Sequence, residues 1–189
     1  MSAGAARRGV IDASGAAAVN GIPVAPGMAV AVGDELVTDA GASLTVVVGR
    51  DALLVRSASR VQLAPAARGA AYVLRVLAGA VLAVFEPGVP KQIRTATAVV
   101  GIRGTAGYFD VQPDRTYVCI CYGTAELAAV DDPAAAETVR TRHHDEPRYI
   151  YRRGMPRMME VAPVVNHTDD ELRSLEALVG RQPPFAGKY

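Results

Sequence analysis

Two cysteines, three histidines and one arginine are the residues of this chain whose types and spacing could do chemistry. Cys119 and Cys121 are the only thiols in 189 residues, and a single residue, Ile120, separates them. Within Thr116-Tyr-Val-Cys-Ile-Cys-Tyr-Gly123 they read as strand residues, so both thiols project from one face and Ile120 from the other. Cα atoms at that spacing lie roughly 6.5–7 Å apart, near the outer limit for a disulfide. A Cys119–Cys121 bridge would be strained and easily reduced, which suits a redox pair better than a structural one. Two thiolates on one face also suit a soft metal (zinc, copper or iron) if nitrogen ligands complete the set. The third reading is packing alone, since cysteine is among the most buried residue types.

The nitrogen ligands would come from His143, His144 and His167, which are all the histidines in the chain and all lie C-terminal to the cysteines. Read as a strand, His143 and His144 point to opposite faces, so only one of them joins a site built on the cysteines. Asp145 and Glu146 follow directly and could serve as ligands or as partners of ligands; a solvated loop is the alternative. His167 stands just before a helix start, as a third donor or as a local staple. The metal reading therefore names Cys119, Cys121, His143 and His144, with His167 as the remaining nitrogen source.

Arg103 lies in Gly101-Ile-Arg-Gly104, followed by Thr105. A bent strand there would offer the guanidinium to an anionic ligand, or the fork would satisfy carbonyls or a carboxylate at the bend. No Gly-x-Ser-x-Gly elbow and no Gly-x-x-x-x-Gly-Lys-Ser/Thr loop occurs, and no helix pattern opens after Gly101-x-x-Gly104 as a dinucleotide fold requires. Asp131-Asp132 and Asp169-Asp170 read as a solvated loop and a helix start. No nucleophile and base converge, and the expectation is a protein that is not an enzyme.

The elements that must position these residues are short strands. Period-2 runs bounded by turn residues occur at 16–19, 22–24, 43–48, 52–56, 60–64, 71–76, 80–85, 93–100, 108–111, 117–121 and 125–130. Past 130 the composition shifts to a linker, further short strands at 137–142 and 149–151, and an irregular, proline- and methionine-rich stretch. One helix is predicted over 169–179: Thr168 and Glu171 form a capping box, Leu172, Leu175 and Leu178 an apolar stripe, and Gly180 ends it. The expectation is an all-β, solenoid- or sandwich-like body over 9–130, a disordered N-terminus at 1–8, and an extension over 131–189 that carries the helix.

Composition agrees. Hydrophobic residues make up 50% of the chain, enough for one sizeable core. A net charge of +1, 5% aromatic residues and no Trp give no case for nucleic acid. The longest apolar run, 71–85, holds Arg75 and Gly79 and is too short to span a bilayer as a helix. No secretory h-region follows the Arg7-Arg8 pair.

Gly33-Asp34 with Thr38, the hairpin over 44–55, Leu77-Ala-Gly-Ala80, Thr95 through Arg103-Gly-Thr105 and Gly123-Thr-Ala-Glu-Leu127 fall in an order that resembles the FecR domain. The resemblance spans about residues 9–130. It implies an all-β domain working in the periplasm, with Arg103, Gly104 and Thr105 as part of the fold signature. In the best-known proteins of this type the domain belongs to a transmembrane sigma-factor regulator that relays a signal from an outer-membrane receptor. The sequence departs from that pattern in lacking sigma-binding helices, a membrane span and a receptor-docking domain, and is closer to stand-alone exported FecR-domain proteins. The resulting expectation is a non-enzymatic periplasmic module that engages a protein or cell-envelope partner. The alternative is a metal- or redox-responsive sensor using Cys119 and Cys121 with a nearby histidine.

Overall fold

The computed structural model describes residues 8–67 and 70–187. Of the N-terminus expected to be disordered, only Arg8 falls within them. Fifteen strands and one helix follow in chain order. The first seven strands are β1 (Gly9–Ser14), β2 (Ala17–Val19), β3 (Ile22–Pro23), β4 (Glu35–Thr38), β5 (Ser43–Val48), β6 (Asp51–Val55) and β7 (Arg60–Pro65). The next five are β8 (Tyr72–Val84), β9 (Pro90–Arg94), β10 (Ala98–Arg103), β11 (Ala106–Val111) and β12 (Arg115–Ala129). The C-terminal part adds β13 (Ala136–Thr141), β14 (Arg148–Tyr151), β15 (Met159–Val161) and α1 (Asp169–Leu178).

The strands form two leaves that share their longest members. The first leaf runs β1-β5-β6-β8-β11-β12-β14-β15 and is antiparallel throughout. The second runs β3-β2-β4-β7-β8-β9-β10-β12-β13, with β8 and β9 its one parallel pair. β8 and β12 cross from one leaf to the other, which is why each is a single long strand where the sequence pattern predicts two. The crossings fall at glycines. Gly79 has φ +69° and packs so tightly on Ser59 that a methyl there would sit 2.1 Å from Ser59 Oγ; Gly123 has φ +99° and would place a methyl 2.8 Å from Thr105 Cβ. A left-handed backbone with no room for Cβ admits glycine alone.

The predicted strand over 93–100 is likewise divided, into β9 and β10. Thr95 is the reason: its hydroxyl accepts the N–H groups of Thr97 and Ala98 at 3.2 and 2.9 Å, closing a turn that competes with the ladder.

Alternation sorts the side chains into two cores. Val46, Leu53, Val81, Phe109, Val118 and Ile120 of the first leaf meet Leu36, Leu63, Leu74, Ile93, Val100 and Leu127 of the second in the sandwich interior. The outer face of the first leaf forms another apolar layer, where Val47, Leu82, Tyr108, Tyr117, Cys119 and Cys121 are covered by Leu172, Leu175, Val179 and Phe185 from α1 and the chain beyond it. β12 thus sends Val118 and Ile120 inward and its two cysteines outward. Thr168 and Glu171 cap α1 reciprocally, and Val179 ends it.

Candidate metal centre

β12 delivers the two thiols as the strand period requires. Both are free and fully buried. The loop after β13 and the turn before α1 deliver the nitrogens. In the first, Asp145 Oδ2 accepts the N–H groups of Arg142 and His143 at 2.8 and 3.3 Å, and His144 N–H donates to the Cys121 carbonyl at 2.9 Å. The chain is therefore bent, not extended, at His143 and His144, and His144 is left-handed with φ +54°. The expectation that these histidines face opposite ways fails for that reason: both reach the same carboxylate. In the second, Tyr117 Oη donates to the Pro163 carbonyl at 2.9 Å and accepts Val165 N–H at 3.3 Å, and His167 stacks on Tyr108 with ring centroids 4.9 Å apart.

The outcome is a compact set of two sulfurs and two nitrogens. Ligand atoms of Cys119, Cys121, His144 and His167 all lie within 4.8 Å of one another. His144 Nδ1 is 3.5 Å from Cys119 Sγ and 3.0 Å from His167 Nε2. A tetrahedral zinc with bonds of about 2.3 Å to sulfur and 2.0–2.1 Å to nitrogen has edges of roughly 3.3–3.8 Å. The four donors need only small rotations to reach it.

Hydrogen bonding fixes which nitrogens are free. His167 Nδ1 lies 2.7 Å from the Val165 carbonyl, which only accepts, so Nδ1 carries the proton and Nε2 the lone pair. His144 Nε2 lies 3.1 Å from Asp169 Oδ1, so it too carries the proton and Nδ1 the lone pair. Two imidazole lone pairs then face each other across 3.0 Å beside a sulfur. Neutral rings cannot hold that arrangement; a proton or a metal cation must lie between them.

Charge in the cluster leans the same way. The Cys121 thiol, with help from His144 and His167, draws Cys119 well below the ordinary thiol range against the effect of burial. Burial and the adjacent Cys119 sulfur push Cys121 up. These opposite shifts favour the thiolate at Cys119, the form in which a thiol ligates a cation. Burial opposes a charge on His144, but its contacts with Cys119 and Asp169 outweigh it and the pKa rises. Asp169, despite its own burial, is held ionised by His143 and His144. A carboxylate behind a ligating histidine orients the ring and raises its basicity.

His143 is not among the donors facing the sulfurs. Its Nε2 lies 2.9 Å from both Asp169 oxygens, and with His144 and Asp169 it forms a second close group of donors. His167, the remaining nitrogen source in the sequence, joins His144 at the sulfurs. Asp169 and the Val165 carbonyl, which set the tautomers, carry no signal in the sequence beyond the former's position in the first helical turn.

The Arg103-Gly104-Thr105 signature lies elsewhere, at the β10–β11 turn. Arg103 is exposed and forms no ion pair among the described residues. Thr105 is buried, and its hydroxyl donates to the Tyr122 carbonyl.

No family model and no curated protein matches this chain. Its fold does match solved structures. Two crystal structures of a protein provisionally described as an anti-sigma factor, from Parabacteroides distasonis, align over 68% of this chain with a TM-score of 0.55 and 13% identity. The aligned part covers 58% of that protein's chain. At this identity the likeness is one of fold: an all-β body, here with one helix among the described residues. No helix among the described residues is long and apolar enough to cross a membrane.

Proposed function

We propose that this chain is a non-enzymatic signalling module of the cell envelope, acting in the periplasm on a protein partner, and that one zinc ion held by Cys119, Cys121, His144 and His167 fixes its C-terminal segment. The observation that carries the metal reading is the convergence of His144 Nδ1 and His167 Nε2, 3.0 Å apart, with both cysteine sulfurs within 4.8 Å, each ring anchored through its other nitrogen. Two sulfurs and two nitrogens in a dry site suit zinc over magnesium or calcium, which take oxygen ligands. Four protein donors fill a tetrahedron and leave no position for water or substrate, as in structural rather than catalytic zinc sites. The signalling part rests on the FecR-like motif order and on the fold shared with the Parabacteroides protein.

Elemental analysis of protein purified under reducing conditions tests the metal. The expected result is about one zinc per chain, lost in Cys119→Ser/Cys121→Ser. Absence of metal, with both thiols unreactive until denaturation, would return the cysteines to plain packing. Recovery of no protein from envelope extracts by the immobilised chain would remove the partner.

A further inference from the structure

A second set of donors adjoins the first and shares His144 with it. One ring nitrogen each of His143 and His144 and one oxygen of Asp169 lie within 4.8 Å of one another. Asp169 Oδ1 is their common point: His143 Nε2 is 2.9 Å from it and His144 Nε2 is 3.1 Å away. Ligands bound at about 2.0–2.2 Å and at right angles have edges of roughly 2.8–3.1 Å, shorter than the edges of the tetrahedral sulfur site. Two imidazoles and one carboxylate on one face of an octahedron are the donor set of iron(II) and related first-row ions.

Three features suit this set to a cation. The donors are fixed from outside the set. Asp145 Oδ2 holds the N–H groups of Arg142 and His143, and His144 N–H is tied to the Cys121 carbonyl. Asp169 stands in the first turn of α1, behind the reciprocal cap of Thr168 and Glu171. Access comes next. The His143 and Asp169 side chains are 27% and 28% exposed, so an ion can enter from water and keep water on the positions the protein leaves open. Both cysteines, in contrast, are fully buried. Charge is the third. Zinc bound by two thiolates carries no net charge, so the inner ion does not repel a second one, and Asp169 remains the negative group that attracts it.

We propose that His143, His144 and Asp169 hold a second divalent cation, with His144 bridging it to the inner zinc. His144 Nδ1 ligates the zinc, and Nε2 gives its proton to solvent and bonds the outer ion. This rests on the reading of Cys119, Cys121, His144 and His167 as a metal centre. Asp169 then has two roles: it accepts from both histidines when the outer ion is absent and ligates that ion when it is bound. The signalling module thereby carries an open, exchangeable cation site beside a closed, structural one.

Cobalt(II) titrated into the metal-free, reduced full chain tests the outer site, because only thiolate ligation gives cobalt an intense charge-transfer band. Wild type should take up about two ions per chain, one raising that band and one adding only weak ligand-field absorption. His143→Ala should keep the band and lose the other ion, whereas Cys119→Ser/Cys121→Ser should lose the band. Saturation of wild type at a single ion, with the band present, would overturn the outer site and leave the inner centre standing. Uptake of both ions by His143→Ala would also overturn it, since the second would then bind elsewhere. Loss of both ions in that variant would do the same, because the two sites would then be one. A titration without the thiolate band would remove the inner centre and the bridge with it.

Discussion

Two of the polar clusters that the protein buries, one around Asp51 and Lys91 and one around Cys119 and Cys121, differ in their balance of donors and acceptors. Lys91 Nζ lies 3.3 Å from Asp51 Oδ2, with both side chains 3% exposed. The same carboxylate takes the Tyr72 hydroxyl at 2.7 Å and the Glu86 N–H at 2.6 Å. One negative group meets one positive group and two neutral donors, so nothing is missing. Around Cys119 two sulfurs and two imidazole nitrogens converge within 4.8 Å of one another, and only a shared proton or a bound cation reconciles them. Residue type alone does not separate these clusters, since both are buried and titratable. The first is complete with its own side chains, whereas the second converges donors in the way the proposed zinc site requires.

Breaking the closed cluster should have the largest effect on stability. Lys91→Met leaves the Asp51 carboxylate buried without its cation, a loss of about 3–5 kcal/mol. Thermal unfolding should show a fall of roughly 6–20 °C for a chain of this size, identical with and without added zinc. A zinc-dependent difference would mean that the two clusters are not independent. The open cluster should behave in the opposite way. Wild type should gain about 4 kcal/mol when free zinc exceeds its Kd a thousandfold, and Cys119→Ser/Cys121→Ser should gain nothing. Parallel melts across a zinc series read both numbers.

A smaller effect sharpens the contrast at its edge. Asp169→Asn keeps an oxygen near His144 Nε2 but removes the charge that orients and polarises the ring. Zinc affinity should drop about 10–100-fold, as is usual when a partner of a ligating histidine is lost. His143→Ala, which leaves the Asp169–His144 contact in place, should lower affinity less. Competition against a chromophoric chelator measures both. An affinity unchanged in Asp169→Asn would show that Asp169 does not tune the ligand.

Much of this was legible in the sequence, for definite reasons. Strand period placed Cys119 and Cys121 on one face, and helix capping placed α1 to within a residue of its observed end. All three histidines stood out because the chain has so few. Long-range consequences were not legible. Gly79 and Gly123 read as strand breaks, whereas they are bends within β8 and β12, because only the tertiary contacts with Ser59 and Thr105 show the chain continuing. His143 and His144 could not be told apart, since Asp145 bends the backbone there and overrides alternation. Choosing His167 required knowing that the turn before α1 folds back onto Tyr108 and Tyr117. The burial of Glu176 on α1 carries no sequence signal, because the partners that satisfy it, Tyr122 and Arg181, lie off the helix.

The Arg103-Gly104-Thr105 signature carries the same contrast at small scale. Its last residue is closed: Thr105 is 1% exposed and its hydroxyl is spent on the Tyr122 carbonyl, directly after Cys121. Its first residue is open: Arg103 lies on the surface without an ion pair among the described residues, beside Lys91, Thr124 and Glu126. Thr105→Val should therefore cost about 1–3 kcal/mol, the penalty for a buried carbonyl that loses its donor. Arg103→Ala should stay within about 0.5 kcal/mol of wild type, as surface changes away from specific contacts do. Stability alone cannot give Arg103 a purpose, so the informative measurement is partner capture by the Arg103→Ala chain at unchanged melting temperature. Weakened capture would make the guanidinium a contact for an acidic partner group, and unaltered capture would confine the signature's role to the fold.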